Sequence, residues 1–119
     1  MPNVVIYEDD VLMRALLEEW LCEAGYDVSA RASRDVRRDD ADVVVASVYM
    51  PKRAGAEALR EIRAAHPNAA LIAVSGQFRA GLSVDGAAVR VPGVEHVIAK
   101  PLRRDDLLEA VRAMIGAPS

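Results

Sequence analysis

The chain has 119 residues, 52% of them hydrophobic and 28% charged, with aromatics at only 4% and a net charge of −3. That is chain enough for one core of Val, Leu, Ile and Ala, and the acidic balance argues against a general nucleic-acid or membrane partner, either of which needs a basic face. A single cysteine, Cys22, excludes an internal disulfide and suits a reducing cytoplasm.

Val4 to Tyr7 is a short apolar run, predicted as the first strand and ending in Glu8-Asp9-Asp10. A helix follows at once. Leu12, Leu16 and Trp20 fall four apart with Met13, Leu17 and Leu21 beside them, which predicts one apolar stripe. Asp9 or Asp10 can cap its start and Gly25 stops it. Asp27 to Ala32 alternates weakly through Val28, Ala30 and Ala32, as an edge strand would. Ser33 to Asp40 is polar and holds at best two helical turns.

Val43 to Val48 is an unbroken valine-rich run of the kind covered on both faces of a parallel sheet. Pro51 cannot donate to a ladder and ends it, so Ser47 falls at the carboxyl end of the central strand. A helix is expected from about Ala54 to Ala65, stopped by Pro67, then a buried strand from Ala70 to Val74 ending in Ser75-Gly76. Gln77 to Val91 shows little periodicity and allows one weak helix, about Ser83 to Arg90. Val97-Ile98-Ala99 is the last strand, closed by Lys100-Pro101, and the final helix runs from about Arg103 to Ile115. Residues 1–119 read as one domain, with 116–119 as a domain end or the start of a linker. No run approaches the roughly 20 apolar residues of a membrane span, and no charged-then-apolar leader opens the sequence, which predicts a cytoplasmic protein.

Five strand-then-helix units with short connections predict an α/β doubly wound parallel sheet of five strands, order 2-1-3-4-5. In such sheets sites lie beyond the carboxyl ends of the strands. Glu8 and Asp9 follow the first strand, Ser47 the third, Ser75 the fourth and Lys100 the fifth. Two acids, two hydroxyls and a lysine at one edge are the parts of a phosphate-and-magnesium site.

Those residues are where the resemblance lies. Tyr7-Glu8-Asp9-Asp10, Met50-Pro51, Ser75-Gly76 and Ala99-Lys100-Pro101 together make the whole chain similar to a response-regulator receiver domain, the aspartate-phosphorylated flavodoxin-like module of two-component signalling. The resemblance makes position 47 the phosphoacceptor, Ser75 and Lys100 the phosphate-binding and switch positions, and position 97 the aromatic that swings on activation. It also implies a Mg²⁺ site on Glu8 and Asp9 with the Tyr49 carbonyl as a further ligand. Here position 47 is Ser47 and position 97 is Val97; the stretch from Gly25 to Ser47 is short, so the second helix should be stunted, and the poor periodicity of Gln77 to Val91 makes the fourth irregular.

A serine hydroxyl is un-ionised at neutral pH and cannot both ligate a metal and attack a phosphoryl group as a carboxylate does. The metal also loses one of three carboxylates, so Mg²⁺ should bind weakly. The expected function is a degenerate receiver, not an enzyme, acting through protein contacts. Its partner would be a histidine kinase, phosphotransfer protein or output domain, met on the face of the fourth helix, fifth strand and last helix, where Val97, Arg103 and Arg104 lie; a homodimer is compatible with this. The alternative is a phosphorelay regulator whose acceptor was mutated or relocated; more remote is a Ser47–Lys100 hydrolase, for which Ala46 and Val48 lack the glycines of a nucleophile elbow. His66 and His96 are predicted as surface residues at the opposite edge, roughly 15 Å away.

Overall fold

The computed structural model describes residues 2–48, 52–75, 94–99 and 103–115. The strands are β1 (Asn3–Tyr7), β2 (Asp27–Arg31), β3 (Val43–Val48), β4 (Ala70–Ser75) and β5 (Val94–Ala99). The helices are α1 (Val11–Glu23), α2 (Lys52–Ala65) and α3 (Arg104–Ile115). All strand pairs are parallel in the order β2-β1-β3-β4-β5, as expected.

Alternation along the strands divides the core into two layers. Val4, Ile6, Val43, Val45, Ile72, Val74 and Ile98 face Leu17 and Leu21 of α1 and Leu107 and Val111 of α3. Val5, Tyr7, Val44, Ala46, Leu71 and Ala73 face Leu59 and Ile62 of α2. Burying each leucine fully contributes roughly 1.5–3 kcal/mol, so these two layers hold the sheet in register.

The ends of α1 follow from its sequence. Asp10 caps the start, its Oδ1 accepting from the Met13 N–H at 3.0 Å. At the other end Gly25 takes φ 101°. This lets its N–H reach the Cys22 carbonyl (3.0 Å) and the Tyr26 N–H reach Leu21 (3.2 Å), a Schellman closure with Tyr26 and Leu21 in the same core layer. The α2 end is closed differently, by Arg63 Nη2, which donates to the carbonyls of His66, Pro67 and Ala69.

Three expectations change. The α1 stripe is narrower than its spacing suggested: Leu17 and Leu21 are buried, with Met13 and Trp20 packed beside them, whereas Leu12 is 82% exposed and Leu16 also reaches solvent. At about 100° per residue, Leu12 and Leu16 fall one step round the helix from the Met13–Leu17–Leu21 line. No helix forms between β2 and β3; the extended segment 32–42 takes the place of the stunted second helix, with Val36 and Ala41 packed on the α2-side layer. The last strand begins at Val94, three residues before the predicted start. The weak helix expected over Ser83 to Arg90 lies outside the described residues.

Candidate functional site

At the carboxyl end of β1 three consecutive acids do three different things. Glu8 is fully buried: its N–H donates to the Arg31 carbonyl (2.8 Å), its carbonyl accepts from Arg14 Nη1 (3.1 Å), and its Oε2 accepts from the Asp10 N–H (3.1 Å). Asp9 is exposed, and its two carboxylate oxygens accept from the Ser33 N–H and hydroxyl, both at 2.7 Å. Asp10 is the α1 cap. Asp9 thus anchors the start of segment 32–42.

Ser47 lies in β3 opposite Val74 of β4. One step back, Ala46 pairs with Tyr7, so Glu8 and Ser47 are the next positions along neighbouring strands. Ser47 is only 4% exposed and, among the described residues, its Oγ has no hydrogen-bond partner. A buried hydroxyl in that state is unusual, since such groups are nearly always satisfied. Ser75 closes β4 opposite Val48 and Ala99, and Val97 pairs with Ala73. Lys100, Tyr49 and the Met50-Pro51 turn lie outside the described residues.

A hard divalent cation needs several oxygens converging on one point. Asp9 is turned to Ser33, Ser47 offers a neutral oxygen, and among the described residues no three acidic, histidine or cysteine side chains gather. Among the described residues, these side chains do not by themselves complete a Mg²⁺ site.

The second polar cluster was not anticipated. His66, which follows α2, is not at the surface: it is 3% exposed, and its ring packs 5.7 Å from that of Tyr7. Its Nε2 lies 2.7 Å from Tyr7 Oη and its Nδ1 2.9 Å from the Asp39 carbonyl. Arg31, at the end of β2, is buried and donates to Tyr7 Oη (3.2 Å) and Ser29 Oγ (3.2 Å), and forks onto both carboxylate oxygens of Asp39. The Arg31 hydrogen bond holds the Asp39 carboxyl below the usual carboxylate range, and the same bond raises the Arg31 guanidinium. Beside the cluster a cavity of about 620 Å³ opens between 38–42 and 64–69. One sequence signal could have found it. Tyr7 ends a short apolar run read as the first strand, and a tyrosine hydroxyl buried there requires a partner.

No helix among the described residues is long and apolar enough to cross a membrane. Residues 4–112 match the model of the response regulator receiver domain family. The chain is 31% identical over 117 residues to a chemotaxis protein CheY from Listeria monocytogenes, covering 93% of this chain and 96% of that protein. It is 32% identical over 125 residues to a protein-glutamate methylesterase/protein-glutamine glutaminase from Caulobacter vibrioides; there it spans 92% of itself but only 36% of the relative. Among solved structures, a response regulator from Thermotoga maritima superposes with TM-score 0.77 at 24% identity, over 98% of this chain and 99% of the other. The receiver domain of a sensor histidine kinase from Pseudomonas aeruginosa, described with a magnesium ion in its active-site cleft, gives 0.75 at 25% identity, over 98% of each chain. Sheet order, acidic β1 terminus and family match agree: the chain belongs to the response-regulator receiver domain family.

Proposed function

We propose that this receiver works as a signalling module through protein contacts, without phosphorylation at position 47. The observation that carries this reading is Ser47: a buried hydroxyl with no partner among the described residues, beside a buried Glu8 and an Asp9 whose carboxylate is engaged by Ser33. Position 47 is where the family resemblance puts the phosphoacceptor, and a neutral hydroxyl there has no described base to activate it. Mg²⁺ binding on Glu8 and Asp9, with the Tyr49 carbonyl, is accordingly weak. Ser75 and Lys100 keep the phosphate-binding positions, while Val97 replaces the switching aromatic.

Contacts with a histidine kinase, phosphotransfer protein or output domain fit two surfaces of a cytoplasmic protein. One is the face of β5 and α3, where Arg103, just before α3, and Arg104 in its first turn are exposed; the fourth-helix part of that expected face lies outside the described residues. The other is the exposed apolar side of α1, Val11, Leu12 and Leu16, which lies outside the α1-side core layer. The competing reading, a phosphorelay regulator with a relocated acceptor, predicts phosphoryl uptake by the unaltered chain. The Ser47–Lys100 hydrolase reading stays remote, since Ala46 and Val48 lack the glycines of a nucleophile elbow.

Incubation with acetyl phosphate and Mg²⁺, read by intact mass, decides between them. The expected result is no phosphoryl adduct on the unaltered chain and one on Ser47→Asp. An adduct on the unaltered chain overturns the proposal. No adduct on Ser47→Asp would place the loss of chemistry beyond Ser47.

A further inference from the structure

The groups around His66 fix where each proton lies. The Asp39 carbonyl 2.9 Å from Nδ1 can only accept, so Nδ1 carries the hydrogen. In a neutral imidazole Nε2 is then the accepting nitrogen, and Tyr7 Oη, 2.7 Å away, supplies the hydrogen. Tyr7 Oη itself accepts from Arg31 Nη1 (3.2 Å) and from the Arg37 N–H (3.4 Å). The phenol donates once and accepts twice, which uses all it has. Arg31 closes the ring by forking onto the Asp39 carboxylate.

We propose that this ring is a proton-operated latch on segment 32–42, shut while His66 is neutral and released when the imidazole takes up a proton. A second N–H at Nε2 would point at a phenol oxygen whose lone pairs are occupied, and it would strand the phenol's own hydrogen. It would also put a second positive charge beside the Arg31 guanidinium, itself over the Tyr7 ring at 5.6 Å. Among the described residues the nearby attraction is the Asp39 carboxylate, 3.9 Å from Nδ1, and that carboxylate is already held by Arg31. Other described charged groups lie nearby. Arg38, Asp40 and Asp42 line the adjoining cavity, Arg37 pairs with Asp35, and Arg63 of α2 is turned to the carbonyls of 66, 67 and 69. Among the described residues, Nε2 is bonded to Tyr7 Oη and to none of these groups.

The segment is built to respond. It contains no helix or strand, and its middle is held to the sheet through Arg37, Asp39 and their partners in this ring. Its ends are tied separately, Ser33 to Asp9 and Asp40 and Asp42 to Asn3, so release is confined to the stretch between. The cavity beside His66 gives water a route to the ring. Opening lets the imidazole charge in water, which couples the open state to proton uptake and so favours it as pH falls.

Long-range ¹H–¹⁵N spectra of the labelled chain should show His66 as the Nδ1–H tautomer at neutral pH. Hydrogen-exchange protection of the Arg37 amide should fall with pH, approaching about tenfold per unit once the open state holds the proton, while Leu17 and Val45 stay protected. In His66→Gln that pH dependence should vanish. If His66→Gln does not fold, the tautomer and pH profile of the unaltered chain decide alone. An Nε2–H tautomer at neutral pH, or Arg37 protection that ignores pH while His66 titrates, overturns the proposal.

Discussion

Tyr7 and Glu8 are adjacent in the chain and lead into two opposite kinds of polar environment. On the α2 side, Tyr7, Arg31, Asp39 and His66 satisfy one another in a ring. At the expected site, the acids are drawn off to backbone and loop partners, and the Ser47 hydroxyl is left with none among the described residues. A completed buried network rigidifies and carries stability, whereas a half-satisfied one carries little and its members can be exchanged. The ring should therefore contribute more to stability than the Ser47 hydroxyl does.

The comparison breaks first at Arg31. Arg31→Met removes the fork to Asp39 and the donors to Tyr7 and Ser29, and should lower unfolding stability by about 2–4 kcal/mol. A urea midpoint within error of the unaltered chain would mean the ring is ornamental. Tyr7→Phe is milder. It leaves His66 Nε2 and the donors of Arg31 and Arg37 short of a partner while keeping the buried ring, for an expected loss of about 1–3 kcal/mol. At Ser47 the sign reverses. Ser47→Ala deletes a buried hydroxyl that has no partner among the described residues, so stability should hold or rise by up to about 1 kcal/mol. A clear loss in Ser47→Ala would show that the hydroxyl has a partner after all and that the two regions do not differ as argued.

How much of this was legible in the sequence differs by region for physical reasons. The strands were readable because Val4 to Tyr7, Val43 to Val48 and Ala70 to Val74 are unbroken apolar runs, which a strand covered on both faces requires. Strand order followed from the alternation of elements. The carboxyl-edge positions of Glu8, Asp9, Ser47 and Ser75 were readable for the same reason, since strand ends fix them. What Asp9 does was not, because its partner Ser33 is 24 residues away in a loop with no periodicity. His66 was misplaced for a related reason. Its position after a helix resembles any wet loop, and its burial depends on segment 32–42 crossing over it to bring the Asp39 carbonyl to Nδ1. Leu12 and Leu16 were misread because leucine at helical spacing signals an apolar face without saying what covers it.

The smallest effect sharpens the comparison in acid. Asp39 has its carboxyl lowered chiefly by the Arg31 hydrogen bond, with burial opposing. A carboxylate depressed in the folded state adds stability that is fully present above its unfolded range and is lost as pH falls through its folded one. The relevant window therefore lies below about pH 4, where a free aspartate protonates. Because the Asp39 side chain is 44% exposed, solvent screens the pair and the effect should stay within about 1 kcal/mol. Urea midpoints at neutral pH and near pH 3 should differ less in Asp39→Asn than in the unaltered chain. The substitution keeps the Asp39 carbonyl, and with it the His66 Nδ1 bond, so Arg37 protection should still fall at milder acidity. An acid response identical in the two proteins would assign it to other carboxylates, and would leave Arg31 holding the ring through Tyr7 rather than through Asp39.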